Sequence, residues 1–174
     1  MVSTGKDFRV HIASKGQFIE GNSDVPASSQ TRLENRRPVA FLTALLICPP
    51  DSETERTLLE EDSNEIEAVY ILMILRRNLD QLQLLRNIYF DRYTLQIIRQ
   101  KTFDGVGGIL SDTKYSRWKT YNGIRFPSEI DIQRPQENYE VALSIGSMKI
   151  NANDVTPDKF ILNQPPGTQL RRLN

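Results

Sequence analysis

From about Glu67 to Leu162 the chain alternates apolar and polar residues in short runs separated by turn residues. Period-two alternation sends successive side chains to opposite faces of an extended backbone, so an alternating run reads as a strand with one dry and one wet face. Runs joined by tight turns pair as antiparallel neighbours, and a series this long makes one large meander. A sheet of about six strands does not stay flat and unsupported in water, because its native twist coils it. The fold expected is mostly β with a few helices: a curved antiparallel meander forming an incomplete half-barrel closed by a helix. The question this raises first is what the concave face holds.

The strands read as follows. Glu67 to Leu75 is apolar on both alternating faces, which predicts a central strand covered on both sides. It is too short to cross a bilayer as a helix, which takes about 20 residues. Leu84, Arg86, Ile88 and Phe90 alternate with Leu85, Asn87, Tyr89 and Asp91, and Thr94 to Phe103 continues the meander. Asp104-Gly-Val-Gly-Gly108 then supplies the backbone freedom a reversal needs, with Ile109 to Lys119 returning. A phosphate-cradling loop would require a helix directly after those glycines, and none is predicted. Tyr121-Asn-Gly123 favours a two-residue hairpin turn. Ile124, Phe126, Ser128, Ile130 and Ile132 then share one face, as do Tyr139, Val141, Leu143 and Ile145. Pro127 lacks an amide hydrogen and belongs at a bulge or a ladder edge. Phe160-Ile-Leu162 is expected to close the sheet, with 163–174 trailing as a tail that carries Arg171 and Arg172.

Before the meander, Phe8 to Gly21 predicts a hairpin turning at Ser14-Lys15-Gly16, with Phe8, Val10 and Ile12 on one face and Phe18 across from them. Pro38 suits the first turn of a short helix whose Phe41, Leu42, Leu45 and Leu46 are spaced to pack on the sheet. Cys48 then reads as a small buried or half-buried apolar residue. The apolar run before Cys48 imitates a lipoprotein signal, but Ile47 stands where a small residue is needed and Pro49 and Pro50 follow. Neither a basic nor an apolar leader region precedes the strand-like Phe8 to Ile12, so no N-terminal export signal is read. Pro49 to Glu67, rich in Asp and Glu, is expected as an exposed crossover.

Charge and chemistry narrow the function. Lys plus Arg equals Asp plus Glu at 22 each, so no overall field draws the chain to nucleic acid. A single cysteine excludes an internal disulfide and a multi-cysteine zinc site. His11 is the one histidine, and any Ser-His-Asp or Cys-His arrangement would have to be built around it. The acidic segment lacks the glycine at which a calcium loop turns sharply. The expectation is a non-enzymatic protein with no catalytic, cofactor-binding or metal-binding residues, no cofactor and no transmembrane segment.

The stretch Tyr121-Asn-Gly-Ile-Arg-Phe-Pro127, Ile130-Asp-Ile-Gln-Arg-Pro135, Ile150-Asn151 and Thr156-Pro-Asp-Lys-Phe160 through Pro165-Pro-Gly167 resembles the C-terminal part of bacterial outer-membrane lipoproteins with the LolA/LolB-like, lipoprotein-localisation-factor fold. It is similar to a branch known only as domains of unknown function. The resemblance covers roughly Glu67 to Gly167. It implies a strongly curved antiparallel sheet closed by helices, a location in the cell envelope (periplasm or outer-membrane-anchored), and a cavity that contacts acyl chains. The chain departs from that pattern in lacking a signal with a lipidated cysteine and in being short of the opening helix and strands. It therefore reads as a single domain over 1–174, beginning within the natural one.

Two functions are expected from this. The first is an envelope carrier of a lipid or acyl-chain ligand, lined by Tyr70, Leu72, Ile74, Ile88, Phe90, Ile97, Phe126, Ile130 and Val141. The alternative is an accessory subunit with a packed, ligand-free core that binds another envelope protein through a sheet edge or an aromatic patch near Trp118 and Tyr121.

Overall fold

The computed structural model describes residues 2–3, 7–22, 44–63, 68–78, 81–150 and 156–173. Its strands are β1 (Val2–Ser3), β2 (Asp7–Ile12), β3 (Gln17–Asn22), β4 (Glu55–Ser63), β5 (Ala68–Asn78), β6 (Gln81–Asp91), β7 (Ile97–Phe103), β8 (Ile109–Tyr121), β9 (Ile124–Arg134), β10 (Tyr139–Ser144) and β11 (Gln169–Leu173). They fall into two compact units, Ile47–Ile150 and a second made of Met1–Leu46 with Asn151–Asn174.

The first unit is a seven-stranded sheet in the order β10-β9-β8-β7-β6-β5-β4, every neighbouring pair antiparallel. Short connections make consecutive strands neighbours. The sheet is open, with β4 and β10 at its edges. Register slips occur between Ile74 and Leu75, between Tyr89 and Phe90, and between Thr102 and Phe103. Bulges of this kind bend the strand and increase its twist. The Asn-Gly turn forms as expected, with Asn122 at φ 49° and Gly123 at φ 82°. The β7–β8 connection is a hairpin with no helix after its glycines. Pro127 lies just beyond the β9–β10 ladder, whose last pair is Ser144 with Glu129, so its missing amide breaks no bond to β10. Next to it, Arg117 takes φ 51° and the Ser128 hydroxyl donates to the Arg117 carbonyl at 2.7 Å.

Two expectations about this unit are corrected. The start of the acidic stretch is a turn, in which Asp51 accepts from the Glu53 amide at 2.9 Å and the Thr54 hydroxyl at 2.8 Å, and its end at 64–67 lies outside the described residues. Glu55–Ser63 is strand β4. An edge strand tolerates acidic side chains on both faces because water solvates them there, which is why charge concealed the strand. Cys48 is exposed instead of buried.

The second unit holds the sheet β1-β2-β3-β11. The hairpin turns through a 3-10 helix, Ala13–Lys15, with Gly16 left-handed at φ 59°. Register sets Phe18 opposite His11 and Ile19 opposite Val10, so Phe18 lies on the other face from Phe8, Val10 and Ile12. Phe8, Phe18 and Ile19 are all buried, which means both faces of the hairpin are covered. Residues 169–173, expected in a tail, form β11 parallel to β3. The expected closing strand at Phe160 is instead the end of a 3-10 turn, Pro157–Phe160, started by a proline that fixes φ and cannot donate to a ladder. Of the expected helix after Pro38, Ala44 and Leu45 are helical and Ala44 is buried; its earlier residues lie outside the described ones.

One turn carries a testable consequence. Asp104 accepts from the Val106 amide at 3.0 Å, the Gly108 amide at 2.7 Å and the Gln136 side-chain amide at 2.7 Å. A Cβ on Gly108 would stand 2.6 Å from Asp104 Oδ2 and 2.9 Å from Gln136 Nε2. Gly108→Ala should therefore lower Tm in the parent and do so far less in an Asp104→Ala background, a non-additivity read from a double-mutant cycle. These donors, the Gln136 amide foremost, hold the Asp104 carboxyl below its ordinary 3.8. Its stabilisation is present above that unfolded-state value and is lost as pH falls through the lower folded value. The Tm deficit of Asp104→Ala should thus be full at neutral pH and narrow in acid.

Candidate binding face of the seven-stranded sheet

Directly opposed residues of an antiparallel ladder share a face, so register alone assigns the side chains. One row runs Leu59, Leu72, Ile88, Gln100, Thr113, Ile132 and Val141 across all seven strands. Tyr70 and Ile74 flank Leu72 on that face, Phe90 opposes Tyr70, and Ile97 opposes Phe90. Ile130 lies two residues from Ile132 on the same strand, and Phe126 four residues further back. All nine residues expected as ligand liners therefore share one face.

They are not equally covered. Ile74 and Ile130 are 0% exposed and Ile88 is 3%, which makes them core. Tyr70, Leu72, Phe90, Ile97, Phe126 and Val141 are half-buried. Between the apolar flanks runs a strip that the alternation did not reveal: Gln100, Ser111, Thr113 and Tyr115, all buried. Ser111 and Thr113 hydroxyls lie 3.3 Å apart. Burial pushes the Tyr115 phenol well above its ordinary value, with a smaller opposing effect from its hydrogen bond with Thr113, so it stays protonated. Strand β7 is polar at consecutive positions from Arg99 to Thr102, so period-two reading could not say which of them faced inward.

The opposite face is mixed: β5 presents Val69, Ile71 and Met73 there, with Val69 buried, while β7 and β8 present charged groups. Arg99 donates to both carboxylate oxygens of the buried Asp112, one at 2.7 Å, and the Arg99 and Lys101 cations lie 5.8 and 5.7 Å from the Tyr89 ring centre. Trp118, opposed to Pro127, and Tyr121, opposed to Ile124, fall on different faces, so they do not form one aromatic patch. The Tyr121 hydroxyl donates to the Ile145 carbonyl at 3.3 Å, while the buried Trp118 indole nitrogen has no acceptor within reach.

An open hollow of about 800 Å³ lies where β4 begins and β5 ends, lined by Glu53, Thr54, Arg56, Arg76, Arg77 and Leu82. Four of its six lining residues are charged. Beside it the Glu55 carboxylate takes Arg76 at 3.2 Å and Arg86 at 3.6 Å. His11 is half-buried on β2. Among the described residues no three of His, Cys, Asp and Glu converge as metal ligands, and no helix is long and apolar enough to cross a membrane.

No family model matches the chain, and no curated protein matches it in sequence. Solved structures do share its fold. A DUF1329 family protein from Desulfovibrio piger aligns at TM-score 0.55 and 16% identity, over 89% of this chain and 62% of that one. A domain classed as an outer membrane lipoprotein-sorting protein from Vibrio parahaemolyticus aligns at TM-score 0.52 and 11% identity, over 88% of this chain and 63% of that one. A LolA superfamily protein from Nitrosomonas europaea gives 0.48 at 17% identity, over 91% and 67%. The likeness is one of fold. The chain spans less than two thirds of the first two proteins.

The graded burial predicts graded costs. Ile130→Ala should lower the unfolding free energy by about 2–5 kcal/mol, the range for emptying a fully buried site. Val141→Ala on the same face should cost less, because its surroundings are already partly open. Denaturant titration of both variants measures the difference.

Proposed function

We propose that this chain is a non-enzymatic carrier of the cell envelope that holds an acyl chain against the inner face of its seven-stranded sheet. The observation that carries the reading is the set of six large apolar side chains, Tyr70, Leu72, Phe90, Ile97, Phe126 and Val141, left half-exposed on one face whose middle is fully buried. Leaving apolar area in water forgoes about 25 cal/mol per Å², and an acyl chain laid along that face recovers it. The register slips favour a sheet coiled into a half-barrel around such a ligand. The buried polar strip offers hydroxyl and amide groups to an ester or amide of the same molecule. Location in the envelope rests on the fold likeness alone.

A second reading, an accessory subunit that binds another envelope protein, is favoured by Tyr93 and Leu95, 84% and 63% exposed in the β6–β7 turn. Contiguous exposed apolar residues mark interaction sites more often than chance.

Mass spectrometry of organic extracts tests the carrier. Protein purified without detergent should yield a stoichiometric acyl lipid, and a folded Leu72→Glu variant should yield none. Leu72 is chosen because it is half-buried, so a charge there can be solvated while the fold persists. An empty parent protein would sink the carrier and leave the accessory subunit.

A further inference from the structure

We propose that β4 is a self-pairing edge through which two copies of this chain join their seven-stranded sheets, antiparallel, with Leu59 opposite Leu59 on the two-fold axis. Among the described residues no strand lies on the outer side of β4. Every residue from Arg56 to Ser63 is exposed, including Leu58 at 56% and Leu59 at 62%. An edge strand nine residues long, carrying two adjacent exposed leucines, is a template for a further strand.

Charge along the strand selects both the partner and the register. Arg56 stands near one end, and Glu60, Glu61 and Asp62 cluster near the other. Pairing two copies in parallel would stack the acids on each other, whereas antiparallel pairing brings the basic end of one against the acidic end of the other. Outward-pointing backbone groups alternate along a strand, so a two-fold antiparallel pair must be centred on a residue and not between residues. Centring on Leu58 opposes Glu55 to Glu61 twice, and centring on Glu60 opposes that residue to itself. Centring on Leu59 opposes Arg56 to Asp62 twice, Thr57 to Glu61 twice and Leu59 to its own copy. No like charges are then opposed, and the two Leu58 side chains become diagonal neighbours on the other face. Arg56 presently spends one nitrogen on the Ser52 and Glu55 carbonyls, at 3.3 and 2.9 Å, which leaves the rest of its guanidinium for the partner. The resulting contact is isologous and closed, as a two-fold dimer requires.

Light scattering and sedimentation across a concentration series test this. The full chain should reach twice its monomer mass. Arg56→Glu alone and Asp62→Arg alone each create two like-charge pairs and should leave folded monomer, as judged by circular dichroism, while the double variant should dimerise again. In a Cys48→Ser background, Leu59→Cys should join two chains through a short bifunctional thiol cross-linker. A parent that stays monomeric throughout overturns the proposal. So does a dimer that survives both single substitutions, or a double variant that stays monomeric.

Discussion

Backbone pairing from β5 to β9 is the constraint on which everything else in the larger unit rests, because it decides which side chains meet. A slip of one residue flips a strand's whole apolar set to the other face. The three register slips are placed where they do least harm to that arrangement. They alternate between the two ends of the sheet, at Ile74 and Leu75, then Tyr89 and Phe90, then Thr102 and Phe103. The row through Leu72, Ile88, Gln100 and Thr113 passes between them with its pairing intact. Both ends of the sheet are thereby bent while its middle stays in register, and the inner face remains continuous across all seven strands.

The turns depend on a second, smaller device used three times. Asp51, Asp91 and Asp104 each fold a carboxylate back onto amides of the residues that follow. Asp91 accepts from the Tyr93 amide at 3.2 Å and from the Thr94 amide and hydroxyl at 2.7 Å each. These donors hold all three carboxyls below their ordinary value. At the β6–β7 turn the same bonds accompany Leu95 at φ 56°, a conformation that a branched side chain seldom takes without support. Rigid turns keep neighbouring strands from slipping, so the device serves the register above.

How much of this could be read from residues follows from which physical signal each element emits. β9 and β10 alternate cleanly, β5 is a continuous apolar run, and Asn122-Gly123 specifies its turn, so the existence of these strands was legible. β4 was not, because all its residues from Arg56 to Ser63 are exposed, so it has no dry face, and its acids suggested a loop. The polar strip of Gln100, Ser111 and Thr113 was hidden because both faces of β7 are polar in sequence. β11 was missed for a different reason: its partner, β3, lies at the other end of the chain, and no local pattern reports a pairing so remote. Trp118 and Tyr121 looked like one patch because they are close in sequence, yet an odd spacing in a strand separates faces.

The parallel pairing of β11 with β3 also orders events in time. The larger unit is one uninterrupted stretch whose strands each pair with the next, so it can form as the chain emerges, from purely short-range closures. The smaller unit is split, and Gln169 meets Gln17 only after all of that stretch has been made. Until then the β2–β3 hairpin must wait with one strand edge unsatisfied. The β2–β3 hairpin thus leaves the ribosome ahead of the larger unit yet is completed after it, and through that interval its free edge is open to mispairing.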